Sequence, residues 1–307
     1  MSIALSDIEL NWNGKCAEVL FHPYVAKMAM PLDSESSGQG IGMRKYKGLA
    51  WAAGYGGRTD VKLKFDVETP HIGSVDYTVP IQQTSRYVER GDWEAYLLRG
   101  INATNGIATQ MLGEIQDLQN YTVLQGWAPD NTNYVTLGMY QVARNSAAGS
   151  SFGTYNGALS TVGTLIGMLQ SDKIYSDDGY NLFINPTQKQ KLVASNSPNS
   201  GVREWGQVID ALNEQTDNYG GVKPGRIIST PCITAGTCMV APVASEINRK
   251  YFELIEAQSV YNNIWYEDGN TLDGNIKCRQ VSSIFPTFPG LGADNKTDAV
   301  AIGTTVT

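Results

Sequence analysis

Residues Val61-Lys62-Leu63-Lys64-Phe65-Asp66-Val67-Glu68 alternate strictly between apolar and charged side chains. Strict alternation predicts a strand with one dry face and one wet face. A turn-like Thr69-Pro70-His71-Ile72-Gly73-Ser74 follows, and Val75-Asp76-Tyr77-Thr78-Val79 alternates again. The two runs predict a long β-hairpin. Gly54-Tyr55-Gly56-Gly57 and Pro80 flank it as hinges. A two-stranded hairpin is marginal alone in water, so its apolar face needs a cover.

The next pattern has a different period. Trp93, Leu97, Ile101, Thr104, Ala108, Met111, Ile115, Leu118 and Thr122 recur every three or four positions. They predict one stripe of a helix of about 30 residues, roughly 45 Å long. Gly100, Gly106 and Gly113 interrupt it. Each costs up to about 1 kcal/mol relative to alanine and permits a bend or close packing. A core helix of any large fold would carry the same stripe.

From Tyr155 to Ala244 short helices and strands alternate. Gly157 to Gln170 reads as a helix, with Leu159, Val162, Leu165, Ile166 and Leu169 on one face. Tyr180 to Ile184 is a short strand, and Asn185-Pro186 opens a helix with Asn as cap and Pro in the first helical position. Arg203 to Thr216 is amphipathic through Trp205, Val208, Ile209 and Leu212. Arg226 to Ser229 and Cys238 to Ala241 read as strands around a turn at Gly236. Lys250 to Glu267 and Asn275 to Phe285 form a final strand pair, and Ala299 to Val306 an edge strand. The first 47 residues are irregular and cannot form a core by themselves. No internal repeat interrupts this order.

Composition narrows the picture. The chain has 307 residues, of which 42% are hydrophobic and only 17% charged. That is below the roughly 25% charged share of soluble domains. Such a surface suits burial against further copies. The net charge of −7 comes without any long basic run, which argues against a sequence-specific nucleic-acid binder. Cys16, Cys232, Cys238 and Cys278 are scattered and form no CxxC pair, so free thiols in a reducing compartment are expected. The N-terminus is not a secretory signal. No apolar run approaches the roughly 20 residues that span a bilayer, so no membrane partner is expected.

Candidate chemistry is thin. Gly149-Ser150-Ser151-Phe152-Gly153 matches the GxSxG nucleophile elbow, which requires a strand, a tight turn and a helix, with a histidine later in the chain. The preceding Arg144 to Ala148 is a poor strand by composition, and both histidines, His22 and His71, come before the serine. A small-residue loop explains the motif. Gly38, Gly40 and Gly42 lack the strand and lysine of a phosphate loop. Zinc ligands of ordinary spacing are missing. His71 reads as a solvated turn residue. Asp268 to Asn275 has the composition of a turn and lacks the spacing and closing glutamate of an EF-hand. No catalytic residue, metal or cofactor is expected, and the chain does not read as an enzyme.

The order of elements resembles a known family. An irregular arm, a long amphipathic hairpin, a long helix, a compact α/β unit and a closing strand pair are similar to the Hong Kong 97-type fold. This is the α+β fold of tailed-phage and archaeal-virus major capsid proteins and of encapsulins. The segment Tyr180 to Leu192 is similar to the strand-then-helix passage of the family's axial domain. Tyr266-Glu267-Asp268-Gly269 to Phe285-Pro286 is similar to its closing strands. The resemblance implies an N-terminal arm (1–50), an extended loop (51–90) and a peripheral domain with the spine helix (91–155). An axial domain (156–245) and the peripheral domain's closing strands (246–307) follow.

It further implies a structural subunit that self-assembles into pentamers and hexamers. These would close an icosahedral shell around viral DNA, held without sequence-specific contact. A separate scaffold, portal and decoration proteins would be partners, and the virion capsid, assembled in the host cytoplasm, the location. Some family members cross-link a loop lysine to a neighbour's asparagine. Lys62 and Lys64 lie in the right element, but no matching asparagine or assisting acid is identifiable. An encapsulin-type compartment, distinguished by co-purifying cargo, and an enzyme with an unrecognised site, distinguished by an activity screen, stand beside this reading. A tail-tube or adhesin-like β protein fits less well, given the long helix.

The hairpin supplies the contact candidates. Val61, Leu63, Phe65, Val67, Val75 and Tyr77 would lie on a neighbour's spine helix. Arg58, Lys62, Lys64, Asp66 and Glu68 would select partners. Each buried large apolar side chain contributes about 1.5–3 kcal/mol. Phe65→Asp is therefore expected to abolish closed particles while leaving a folded subunit, read by electron microscopy and circular dichroism. Normal-sized shells from this variant would refute the contact.

Overall fold

A computed structural model describes residues 24–33, 44–50, 71–77, 81–89, 91, 94, 103–128, 136–198, 201–214, 224–266, 276–289, 291 and 294–306. Helix α1 (Ala26–Ala29) and strand β1 (Leu32–Asp33) come first. Strands β2 (Arg44–Ala50), β3 (His71–Tyr77) and β4 (Gln82–Val88) follow. Then come the spine helix α2 (Ala103–Gln125), the short α3 (Met139–Val142) and β5 (Ala143–Ala148).

The middle of the chain holds α4 (Gly157–Ser171), β6 (Tyr180–Ile184), α5 (Pro186–Ala194) and α6 (Glu204–Leu212). It closes with β7 (Ile227–Ser229) and β8 (Cys238–Pro242). A 3₁₀ turn at Glu246–Lys250 leads into the long pair β9 (Glu253–Tyr266) and β10 (Ile276–Thr287), and β11 (Thr297–Thr304) ends the chain. The mixture is the α+β class that the pattern predicts.

Among the described residues the strands form three sheets. One has the order β1-β9-β10-β4, one β5-β11-β8-β6-β7, and β2-β3 stands as a two-stranded ribbon. In the five-stranded sheet every residue of β6 and β8 is buried. That explains their near-continuous apolar runs, since a strand covered on both faces has no reason to alternate. On one face Val162, Leu165 and Leu169 of α4 and Val208 and Leu212 of α6 pack against Leu182, Ile184 and Val240. On the other, Phe183, Met239 and Ala241 join Val123 and Leu124 of the spine helix, with Phe252 just before β9 and Leu254 and Ile284 of the long strands. This second core joins the two larger sheets.

Several elements differ from expectation for identifiable reasons. The final strand is internal, between β5 and β8, and not at an edge. Its pattern of Ala, Val and Ile suits that place, since β11 is almost wholly buried. Residues 143–148 form a strand despite poor composition, because β11 offers a parallel partner to this edge segment. The spine-helix stripe is also displaced. Met111, Ile115 and Thr122 are buried as expected, but Leu118 is only half-buried while Gln119 and Asn120 are covered.

One side chain joins the end of α6 to the start of the approach to β7. Asn213 accepts from the Gly225 N–H at 2.8 Å and donates to the Gly225 carbonyl at 3.0 Å. A Cβ on Gly225 would lie 2.6 Å from the Tyr180 carbonyl oxygen, so only glycine fits this approach. Leu165→Ala removes a fully buried side chain between α4 and the sheet. It is expected to lower stability by about 2–5 kcal/mol, seen as a lower urea midpoint at unchanged m-value.

Candidate functional site

The candidate contact residues divide sharply. Arg58, Val61, Lys62, Leu63, Lys64, Phe65, Asp66, Val67 and Glu68 lie outside the described residues, as do Gly38 to Gly42 and the turn at 268–275. Val75 and Tyr77 lie in β3, where their register partners are Tyr46 and Arg44. The return strand thus pairs with 44–50, a segment expected to be mostly irregular. It begins at His71 and not after Ser74, so His71 to Ser74 are strand and not turn. Alternation tells which residues share a face but not which strand is the partner. The Arg-Lys-Tyr-Lys-Gly start of β2 gives no apolar stripe to find it by.

A set of amides on the spine helix ties α1 and its neighbours to the rest of the fold. Asn120 Oδ1 accepts from the backbone N–H groups of Val25 and Ala26 at 2.7 and 2.9 Å. These are N–H groups at the start of α1 that no helical carbonyl can reach. Next to it, Gln119 accepts from the Tyr24 hydroxyl at 2.9 Å and donates to Ser282 Oγ on β10 at 2.9 Å. One turn on, Gln125 donates to the Cys232 carbonyl at 2.9 Å. Burial, with the nearby Glu256 carboxylate, pushes the Tyr24 hydroxyl well above the usual phenol range, so it stays a donor. Sequence reading missed these residues because polar side chains carry no apolar period. Two adjacent amides ahead of an apolar turn are the only local sign.

The long-strand sheet presents two unlike faces. Toward the spine helix, Val88 and Cys278 pack on Met111. Thr84 donates to Glu114 at 2.8 Å, and Arg86 pairs with the same carboxylate. On the opposite face Gln83, Ser85, Lys277 and Arg279 line a groove of about 260 Å³. There Arg279 donates to Gln83 at 2.5 Å and the Lys277 ammonium sits 4.8 Å from the centre of the Tyr87 ring.

The remaining candidate chemistry is placed as follows. Ser151 follows a strand and precedes a helix, but β5 is an edge strand. Ser151 Oγ accepts from Gly153 N at 3.3 Å within its own loop. Gly157 is required because a Cβ there would lie 2.0 Å from the Ser151 carbonyl oxygen. The loop is a close-packed corner. Cys232, Cys238 and Cys278 are free thiols. Burial raises all three, Cys238 up to about 12, so they are held as protonated thiols. Among the described residues no cluster of three or more His, Cys, Asp or Glu is placed to hold a metal. No described helix is long and apolar enough to cross a membrane.

A buried carboxylate, also missed, organises the α/β unit. Glu204 is fully covered, accepting from Ser195 Oγ at 2.6 Å and from the Leu159 N–H at 2.9 Å. It stands in the first turn of α6 and at the N-terminus of α4, where both helix dipoles favour an anion.

No family model and no curated protein matches the sequence. The fold does match solved structures. One from Mycobacterium phage Ogopogo is 13% identical over 99% of both chains, with a TM-score of 0.63. The capsid of Myoviridae phage XM1 is 8% identical over 99% of both, also at 0.63. A virus-like particle from Pyrococcus furiosus is 13% identical over 90% of both, at 0.56. At such low identity the likeness is one of fold. The chain has the Hong Kong 97-type capsid fold, as the order of its elements led us to expect.

The amide anchor makes its own prediction. Asn120→Ala leaves two buried N–H groups without an acceptor and is expected to cost about 1–3 kcal/mol. Limited proteolysis should cut ahead of β1 faster in this variant, whereas Asn120→Asp, which keeps the acceptor, should restore protection.

Proposed function

We propose that the chain is a major capsid protein, a structural subunit without a catalytic task. It assembles into pentamers and hexamers that close an icosahedral shell around viral genomic DNA. The observation that carries this is a likeness in fold to particle-forming proteins that runs nearly end to end. A partial match would leave room for a shared module put to another use; this one leaves almost no chain over.

In this reading residues 1–50 are the arm and 51–90 the extended loop. Residues 91–155 with 246–307 form the peripheral domain, and 156–245 the axial domain. The loop's apolar residues from Val61 to Tyr77 lie on a neighbouring spine helix, and its charged residues choose the register. DNA is enclosed without sequence-specific contact, in keeping with the net charge of −7. A separate scaffold, a portal and decoration proteins act with the shell in the virion, which is assembled in the host cytoplasm.

Heterologous contacts of this kind close when the rotation between copies closes. The protein expressed alone is expected to elute as pentamers, hexamers or closed particles by light scattering, with round shells in negative stain. A compact monomer that stays monomeric with crowding agents, raised salt and co-expressed scaffold would overturn the reading.

A further inference from the structure

A strand at the edge of a sheet presents a row of unpaired N–H and C=O groups, and proteins blunt such edges with charge, proline, bulges or short length. Most edge strands described in this chain are blunted in these ways. β1 has two residues and β7 three. β4 contains Arg86, and the ribbon strands contain Arg44, Lys45, Lys47 and Asp76. β5 is different. Its pairing with β11 is irregular only at the start, next to Arg144, and is regular from Asn145 to Ala148. From Asn145 to Ser171 the chain has no charged residue and no proline.

The hydrogen bonds to β11 show which groups of β5 are left over. The Gly149 N–H donates to the Thr304 carbonyl at 2.7 Å, and Thr304 is the register partner of Ala148. In a parallel pair the bonds slant to the positions on either side of the register partner, so Ala147 and Gly149 face β11. Direction alternates along a strand, so the N–H and C=O groups of Ser146 and Ala148 point away, off the end of the sheet. Both residues are exposed. Among the described residues no hydrogen bond reaches their backbone groups. Helix α4 lies beside this edge, where Thr161 Oγ1 accepts from the Ser150 N–H at 2.8 Å. Its exposed positions, Ser160, Gly163, Thr164, Gly167 and Ser171, are all small and uncharged. A further backbone can approach with no charge to desolvate.

Resting on the shell reading, we propose that the free edge of β5 receives an extended strand from the next copy, which joins the five-stranded sheet through main-chain hydrogen bonds. The chemistry of the edge selects the occupant. Alternating donors and acceptors at strand spacing match another backbone, whereas a phosphate or carboxylate would satisfy the donors alone. The incoming strand is a different element from β5. Pairing of β5 with itself would join two copies and stop, while a heterologous contact propagates around a ring. The low charged share of the chain and its likeness in fold to particle-forming proteins favour a second copy over a foreign chain.

Hydrogen exchange and proline substitution read this contact directly. In assembled wild-type particles the Ser146 and Ala148 amides are expected to exchange at least about tenfold more slowly than in dissociated subunits. The Ala147 amide, bonded within the subunit, should exchange alike in both. Ser146→Pro and, separately, Ala148→Pro each remove one outward N–H and no internal hydrogen bond. Each is expected to weaken the contact about tenfold and to deplete particles in light scattering. Ser146→Ala keeps the N–H and should assemble as wild type does. Circular dichroism and the melting temperature should stay at wild-type values in every variant.

Closed particles in which both amides exchange as fast as in subunits would overturn the contact and leave the shell reading standing. Normal particle yields from both proline variants would do the same. So would a loss in Ser146→Ala as large as in Ser146→Pro, which would trace the effect to the side chain. Protection that appears only when a second protein is added would overturn pairing between copies. If a proline variant loses its fold, the wild-type exchange rates decide. Slow amides in a small oligomer that never closes would keep the contact and remove the shell reading. Wild-type protein that stays monomeric removes both.

Discussion

A buried primary amide must find both a donor and an acceptor, and the spine helix uses that demand to gather the fold. Gln119 and Asn120 are almost wholly covered. Through them one turn of helix holds Tyr24, the start of α1 and Ser282 on β10. Gln125 adds the loop before β8. These contacts span separations in sequence from about a hundred to more than a hundred and sixty residues. Hydrophobic burial supplies most of the energy of such a core but is indifferent to direction. The amides are not, and they determine which segment lies where on the helix.

That constraint explains why a single core can serve two sheets. Val123 and Leu124 lie just beyond the amides and are fully buried where the five-stranded sheet meets the long strands. A helix rotated by a few tens of degrees would still offer an apolar surface. It would strand the amides without partners, at about 1–3 kcal/mol for each buried group. Glu204 repeats the device on the far side of the sheet, where one carboxylate sets the approach of α6 to the N-terminus of α4. Polar groups give orientation on both sides, and leucine and valine fill the space between.

The sequence is easiest to read where structure is local. Tyr180 to Ile184 and the Asn185-Pro186 helix start need only their own neighbours, and Asn185 does accept from the Thr187 N–H. The α4 stripe is legible because a helix lying on a sheet keeps a period. Legibility fails where a partner decides. Ala143 to Ala148 becomes a strand because β11 lies alongside, and β3 pairs with residues 44–50 because of a choice no alternation encodes. Gln119, Asn120 and Glu204 were invisible for a related reason. Their burial is a property of what surrounds them, and their side chains look like surface. The groove on the long-strand sheet was equally hidden, since it exists only once β4 and β10 are in register.

Gln82 has a consequence of its own. Its side chain donates to the Ile284 carbonyl at 2.8 Å and accepts from the Ile284 N–H at 3.0 Å. A side chain thereby stands in for one more rung of backbone ladder, just past the irregularity between Val281 and Ile284. Moving β4 by one residue would exchange the two faces of the strand and leave Gln82 unpaired. The strand has a single alignment that satisfies it, like a key with one cut. Every molecule made from this sequence therefore comes out with the same edge profile. Interchangeable parts are the manufacturing tolerance that any closed assembly of many identical pieces requires.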